Sequence, residues 1–517
     1  MEYDGFDFAD EMGDLQDEYF DPDMLQNLPP EVLDQITPEF LEELQQKNPA
    51  LFEQLMQSSS DFTDDSVFVL FDNFPGVIDQ CLIPVFTSSV QIIMPILLVS
   101  VLCRIISQCL SSKLLINIAN ILGGAFVLYY YTSAAVFYML LAILGYISFC
   151  LLFEITGSSK RSYGVTTIYF MFLTYCNFFV DAKIWHQVMG PQIVLCMKIL
   201  SLEFDLASGR IESEPTMDTV LGYLFHPATV LFGPWVNFKM YLNTFIKPPV
   251  SIWSRMIAHS IKFAFLSSFS LLYSSCFTNF VIGGGAHKWL KAYFVAQSFR
   301  TSHYFVQYIS SMSATVSGFT VTDERESSNS DEVKVQRIKY KQVHYVDPLR
   351  VEFPRSMGLL ANNWNLYMND WFKTYVFHEL KHYGVFKAVF GVYMVSSLLH
   401  GAKFQVSAVL LTIGVISYAE YLLRARLART YSACILSTAC AKNCHHRYKS
   451  RNFFVIVANL CFTLLNVFHL IYLGAPFDNS DVSNIGYNFD HTVSVWANLG
   501  FASHYALIFT FAIGKVI

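Results

Sequence analysis

From about residue 80 to the C-terminus the chain repeats one feature, an apolar run near or above the ~20 residues that cross the hydrocarbon of a bilayer. The runs fall near 82–103, 114–131, 133–154, 164–181, 217–243, 256–283, 291–317, 385–400, 403–423, 453–474 and 493–514. This pattern predicts an all-α, polytopic transmembrane protein with about eleven membrane segments. Pro227 and Pro234 interrupt the run 217–243, and the run before His400 is short. Both read as re-entrant, tilted or interfacial elements rather than plain spans.

Composition agrees: 53% of residues are hydrophobic and 15% charged, against about 25% charged in an ordinary soluble domain. Such a balance argues against disorder, nucleic-acid binding and a secreted disulfide scaffold. The net charge of −7 hides two opposite parts. Residues 1–65 carry 19 acids and a single base, Lys47, which leaves residues 66–517 near +11. The first part reads as an acidic, largely disordered tail, with helical spacing of Leu33, Ile36, Phe40, Leu41 and Leu44, and has neither the basic start nor the apolar run of a secretory signal. The second part reads as one membrane-embedded domain. Most of the eleven cysteines, among them Cys103, Cys150, Cys176, Cys196, Cys276 and Cys461, sit in apolar runs as small hydrophobes. No disulfide framework is expected.

Basic residues set the orientation. Arg424, Arg426, Arg429, Lys442, Arg447, Lys449 and Arg451 crowd 421–451 without an acid, which predicts a basic cytoplasmic loop over 424–452. The loop 475–492 is then lumenal and the C-terminus cytoplasmic. Counting back through eleven crossings puts the acidic tail in the lumen, and Arg104 and Lys113 after the first span agree. The polar insert 320–351 reads as an extramembrane loop.

Ionisable or amide groups inside apolar runs cost roughly 2.5–3.5 kcal/mol on insertion scales, so each is a candidate for function. They are His226, His259, His400, His469, His504, Asn237 and Asn279. Four of the histidines are expected to be interhelical hydrogen bonders. His400 stands apart, because Ser397, Ser396 and Tyr393 precede it by three, four and seven residues on one helical face. Upstream, Trp364 and Asn365 lead into Trp371, Phe372, Tyr375 and Phe377, interleaved with Lys373, His378, Lys381 and His382. That stretch has the composition of an interfacial amphipathic helix. An imidazole base with a carboxamide donor suits acyl transfer.

At these residues the sequence resembles the membrane-bound O-acyltransferase family. The family's histidine lies in a small-x-Leu-Leu-His-Gly context, here SSLLHG ending in His400 and Gly401, and its asparagine in a Trp-Asn-Leu context, here Asn365, 35 positions earlier. Segments Trp185–Gly209, Gly222–Phe238, Pro354–Met357 and Ser432–Cys444 extend the likeness to members that acylate Wnt proteins, over about residues 80–517. The acidic tail has no counterpart in it. The resemblance implies transfer of a monounsaturated acyl group, palmitoleoyl, from coenzyme A to a serine hydroxyl of a Wnt protein in the endoplasmic reticulum membrane. It implies direct transfer, with His400 as general base and Asn365 donating to the carbonyl oxygen. Acyl-CoA would be a co-substrate, with no other cofactor, and the partners would be Wnt proteins and membrane lipids. Trp364, Tyr375, Tyr393, Ser396 and Leu399 are candidate pocket residues by their nearness in sequence. Phe232 and Trp235 read either as pocket lining or as part of a helix break at Gly233-Pro234. Ser396 and Ser397 admit a covalent role, against a plainer one in helix packing.

Two other readings compete. One is a family member acting on a lysophospholipid or another small acceptor. The other is a transporter or channel with histidines along an ion path, against which stands the lack of inverted sequence repeats. Cys434, Cys440, Cys444, His445 and His446 supply enough ligands for a metal, but their spacing is not that of paired Cys-x-x-Cys motifs. Reduced or lipid-modified thiols, and no metal, are expected there.

Overall fold

Long apolar runs become helices almost throughout. The computed structural model describes residues 78–133, 136–156, 161–211, 214–277, 287–325, 336–341, 346–441, 443–478 and 489–517. The acidic tail and Asn279 lie outside the described residues. In chain order the main helices are α1 (Ile83–Cys109), α2 (Lys113–Thr132), α3 (Val136–Thr156), α4 (Arg161–Phe179), α5 (Ala182–Ala207), α6 (Met217–Leu224), α7 (Val250–Leu272) and α8 (Lys288–Val316). After a hairpin of β1 (Val321–Arg325) and β2 (Gln336–Tyr340) come α9 (Met357–Trp364), α10 (Leu366–Phe372), α11 (Val385–Leu399), α12 (Phe404–Thr430), α13 (Phe453–Gly474), α14 (Phe489–Asn498) and α15 (Ala502–Val516). The expected extramembrane insert thus contains a small antiparallel ribbon, with Val321 opposite Tyr340.

Among the described residues, five helices are long and apolar enough to cross a membrane: Ile78–Cys109, Lys113–Thr132, Val250–Phe277, Phe404–Thr430 and Phe453–Gly474. The pair α14 and α15, bent by 75°, makes a sixth if it is one broken span. Large side chains such as Leu98, Leu122, Phe265 and Leu464 stand exposed on these helices. For a bilayer-embedded protein that surface is solvated by lipid.

The run 217–243 is not a span. It forms α6 and two short turns, Pro227–Val230 and Asn237-capped Phe238–Asn243, joined by irregular backbone. Irregular backbone at membrane depth survives only when protein satisfies its polar groups, and here protein does so. Lys198 of α5, fully buried, donates from Nζ to Tyr223 O (3.0 Å), Leu224 O (3.3 Å) and Thr229 Oγ1 (2.8 Å). Tyr223 donates to Val236 O (2.7 Å). Gly124 on α2 admits this segment so closely that an added Cβ would sit 1.5 Å from Phe225 O. Helix α5, absent from the expected spans, is the buried element that carries this chemistry.

Four arginines used for orientation are helical rather than loop residues, Arg104 on α1 and Arg424, Arg426 and Arg429 on α12, and two of them are buried. Helix α1 continues past Arg104, whose guanidinium is buried and donates to Thr244 O and to Ile246 O. Helix α12 continues to Thr430 and buries Arg424 completely. Arg424 donates to Glu420 Oε1 (3.1 Å), Arg355 O (3.0 Å), Leu436 O (3.0 Å) and Asn459 Oδ1 (2.7 Å), and lies 4.4 Å over the Phe462 ring. Glu420 in turn accepts from Met357 N (2.8 Å) and Asn466 Nδ2 (3.1 Å). Removing one partner of such a pair strands the other charge, at a cost of about 3–5 kcal/mol. Arg424→Met is expected to lower the unfolding temperature in detergent sharply, as followed by size-exclusion fluorescence after heating. A melting curve like that of the wild type would show that the network carries little stability.

The expectation of no disulfide is corrected at one pair. Cys81, just before α1, is bonded to Cys276, just after α7. Spacing could not show this, because 195 residues separate the two. Helices α1 and α7 are antiparallel neighbours whose ends meet there. Disulfides persist in oxidising compartments. The far end of α1 is followed by exposed Lys113. Under denaturing, non-reducing conditions Cys276 should resist maleimide in the wild type and become labelled in Cys81→Ser. Labelling of Cys276 without reduction in the wild type would contradict the bond.

Candidate active site

Helix α11 ends at His400 because the next two residues turn left-handed, Gly401 at φ +75° and Ala402 at φ +52°. The turn closes with Gly401 N donating to Leu398 O (3.0 Å) and Ala402 N to Ser397 O (2.9 Å), a helix stop that favours glycine. A second constraint fixes the same residue. Asn177 of α4 donates from Nδ2 to Gly401 O (2.6 Å), and a Cβ on Gly401 would lie 2.4 Å from Asn177 Oδ1. The glycine after the histidine is therefore needed twice, for its backbone and for the clamp. The His400 side chain makes no hydrogen bond among the described residues.

Asn365 occupies the break between α9 and α10. Its Oδ1 caps α10 by accepting from Met368 N (3.0 Å), and its Nδ2 has no partner among the described residues. Asparagine is a favoured cap, and unlike serine or aspartate it keeps an N–H donor to present elsewhere.

Both residues line one cavity of about 1120 Å³. It follows α12 from Gln405 through Val409, Ile413 and Ser417 to Tyr421, roughly 24 Å at ~1.5 Å per residue. One end lies by His400 and Lys403, the other by Ser437 and Thr438 of the loop after α12. The wall is mostly apolar and aromatic, and it contains Arg300, Lys373 and Lys403 but no carboxylate among its described residues. Arg300 is held by a two-pronged contact with Glu352 (2.9 and 2.7 Å), while its buried Nη1 has no hydrogen-bond partner among the described residues.

Of the pocket candidates, Trp364, Tyr393, Ser396, Phe232 and Trp235 line this cavity. Tyr375 does not: it donates to both oxygens of Asp205 (2.9 and 3.0 Å) and packs by Trp235 and Trp371. Leu399 points into the core, 1% exposed. Ser397 also turns away, donating to Ser407. The stretch expected to lie at the interface is partly core, since Trp371 is buried with Nε1 donating to Met197 O (3.1 Å) and Phe372 is buried beside it.

Two of the other four histidines make the interhelical hydrogen bonds expected of them, His469 with Ser503 Oγ (2.6 Å) and His504 with Tyr472 OH (2.9 Å). The expectation is corrected for the other two: His226 caps its own turn at Pro227–Val230, and His259 donates from Nδ1 to Arg255 O of its own helix (2.8 Å). Sequence reasoning missed His303. This residue of α8 lines the cavity, donates from Nδ1 to Phe299 O (2.9 Å) and packs 5.6 Å from the Trp364 ring. The signal was present, because Arg300 and His303 are ionisable groups within the apolar run 291–317.

A helical membrane protein with an imidazole and a carboxamide on the wall of a long apolar chamber has the architecture of a membrane-embedded acyltransferase. No family model matches the chain. It is 34% identical over 458 residues to the protein-serine O-palmitoleoyltransferase porcupine of Mus musculus, and to that of Homo sapiens, covering 84% of this chain and 95% of each relative. A lysophospholipid acyltransferase of Schizosaccharomyces pombe is 22% identical over 253 residues, 42% of this chain and 48% of the relative. The chain belongs to the porcupine family of protein-serine O-palmitoleoyltransferases.

If Asn177 acts by holding the His400 turn, Asn177→Ala should lower kcat about 10- to 100-fold with little change in KM, since small misplacements of a catalytic group are costly. A change confined to KM would assign Asn177 to substrate binding instead.

Proposed function

We propose that this chain transfers palmitoleate from coenzyme A to a serine hydroxyl of a Wnt protein, with His400 as general base and Asn365 as hydrogen-bond donor to the thioester carbonyl. The observation that carries the reading is the cavity: one apolar chamber reached by both side chains, with three cations and no acid on its described wall. Its volume of about 1120 Å³ is at or above the roughly 300–1,000 Å³ of small-ligand pockets, enough for an acyl chain beside an acceptor loop. Each methylene that leaves water for the wall contributes about 0.8 kcal/mol.

In the step proposed, neutral His400 accepts the serine proton as the serine oxygen attacks the thioester carbon. Asn365 Nδ2 donates to the oxygen as it gains charge, and the intermediate collapses with loss of the coenzyme A thiolate, which takes up the proton. General base help is worth roughly 10²- to 10⁴-fold, and a donor to the developing oxyanion roughly 10²- to 10³-fold. Lys373 and Arg300, whose Nη1 has no hydrogen-bond partner among the described residues, offer charge to the anionic parts of the donor, whereas Lys403 stands at the His400 end. The cavity's end at Ser437 and Thr438 adjoins the basic loop, where a cytosolic donor would enter. Its end at His400 is the side from which a lumenal serine would come, and the endoplasmic reticulum membrane is the compartment this arrangement fits. Ser396, on the wall beside His400, keeps an acyl-enzyme route open to test.

The reconstituted protein is expected to acylate a Wnt serine-hairpin peptide from palmitoleoyl-CoA, and His400→Ala to abolish transfer while the protein stays folded. Asn365→Asp separates the two duties of that residue, because aspartate still caps α10 but donates nothing. A loss of roughly 10²-fold or more in kcat is expected; near-normal turnover would reduce Asn365 to a helix cap. Transfer to a lysophospholipid and not to the peptide would favour the small-acceptor reading.

A further inference from the structure

The loop after α12 gathers a second group of reactive side chains, away from the chamber's catalytic pair. Backbone pairing closes it into a ring: Cys434 N donates to Tyr448 O (2.9 Å) and Tyr448 N to Ser432 O (2.9 Å), a bridge between Ala433 and Tyr448. The ring turns Cys434, Cys440, Cys444 and His446 inward, with one ligand atom from each lying within 4.8 Å of the others. The measured edges are 3.4 Å for Cys434 Sγ to Cys444 Sγ, 3.7 Å for Cys434 Sγ to His446 Nδ1 and 3.5 Å for Cys440 Sγ to His446 Nδ1. His445 is not among them.

These edges decide between chemistries. A sulfur pair at 3.4 Å is far outside the ~2.05 Å of a disulfide. A tetrahedral zinc ion with Zn–S of about 2.3 Å and Zn–N of about 2.0–2.1 Å has edges of about 3.5–3.8 Å; both sulfur–nitrogen edges, 3.5 and 3.7 Å, match this, the sulfur pair at 3.4 Å is slightly shorter, and the other three edges are within 4.8 Å. Three sulfurs and one imidazole make a closed Cys₃His set, the mark of a structural site with no open position. Charge is also provided for. Three thiolates on Zn²⁺ leave one net negative charge, and Lys449 Nζ stands 3.5 Å from Cys444 Sγ. The carbonyls around the ring are pinned from below: Arg355 donates to Cys434 O (3.1 Å) and Leu436 O (3.1 Å), and Asn459 to Cys434 O (3.3 Å).

We infer that Cys434, Cys440, Cys444 and His446 bind one structural zinc ion, which fixes the ring at the cytoplasmic end of the cavity. The ring carries Ser437 and Thr438, both on the cavity wall, so the ion holds the mouth of the chamber without touching the reaction. The site stands independently of the acyl acceptor.

The full-length protein, purified in detergent without chelators, is expected to contain one zinc per chain by mass spectrometry, with a three-sulfur, one-nitrogen shell in X-ray absorption. Cys444→Ser and His446→Ala should each lose stoichiometric zinc, whereas His400→Ala retains it. Because the ligand variants could misfold, the wild type offers a second route. An organomercurial should release zinc, seen with a colorimetric chelator, as Cys434, Cys440 and Cys444 become reactive together. Zinc far below one per chain, zinc kept by both ligand variants, or thioester-linked acyl groups on these cysteines would each overturn the assignment.

Discussion

The end of this molecule that carries the cysteine ring is organised around one guanidinium that has no water to turn to. Arg424 is buried on a helix otherwise apolar enough to cross a membrane, and each contact it makes ties down a different element: Glu420 on its own helix, Arg355 before α9, Leu436 in the cysteine ring and Asn459 on α13. Glu420 passes the constraint on, since it holds Met357 N at the start of α9, the helix that ends in Asn365. A charge in low dielectric is tolerable only when its partners are fixed, and fixing these partners sets the chamber wall from Met357 to Thr438.

At the chamber's other end the constraint acts on the backbone rather than through a buried charge. His400 has no hydrogen bond among the described residues to orient its ring, so its position comes from the backbone: a left-handed Gly401 and a carbonyl held by Asn177. Such an arrangement leaves both ring nitrogens available to reactants while the Cα is held rigidly. Asn365 follows the opposite logic, with one end of its carboxamide spent on capping α10 and the other left to donate. In both cases a helix terminus supplies the precision, because termini are where a membrane helix has polar groups left to place.

What the sequence makes legible follows the same physics. His400 and Asn365 stand out because a polar group in an apolar run is costly enough to need a reason. The helical class is visible because apolar length admits little else. Placement beyond the neighbouring turn is not visible. Tyr375 and Leu399 are close to the pair in sequence, yet Tyr375 reaches across to Asp205 on α5 and Leu399 faces the core, while Phe232 and Trp235, far away in sequence, are on the wall. Charges mislead for a related reason: Arg104 and Arg424 look like loop cations until a buried carbonyl or carboxylate, unknowable from spacing, claims them. The run 217–243 fails as a span because Lys198, itself hidden within α5, makes irregular backbone affordable there.

The cysteines show one residue type put to two different uses. Cys81 and Cys276 meet at the end of α1 that precedes the span, and Cys434, Cys440 and Cys444 converge with His446 beside the basic loop. Neither group is encoded by local spacing; antiparallel helices assemble the first and a closed backbone ring the second. An oxidising compartment turns the first pair into a covalent clasp between two helices. The second group stays as free thiols, and a metal ion would join its three sulfurs and one imidazole into a closed site. On the zinc assignment, then, two supports of different chemistry hold the helices around the chamber: a covalent clasp between α1 and α7, and a metal-closed ring at the end of α12 that sets Ser437 and Thr438 on the wall.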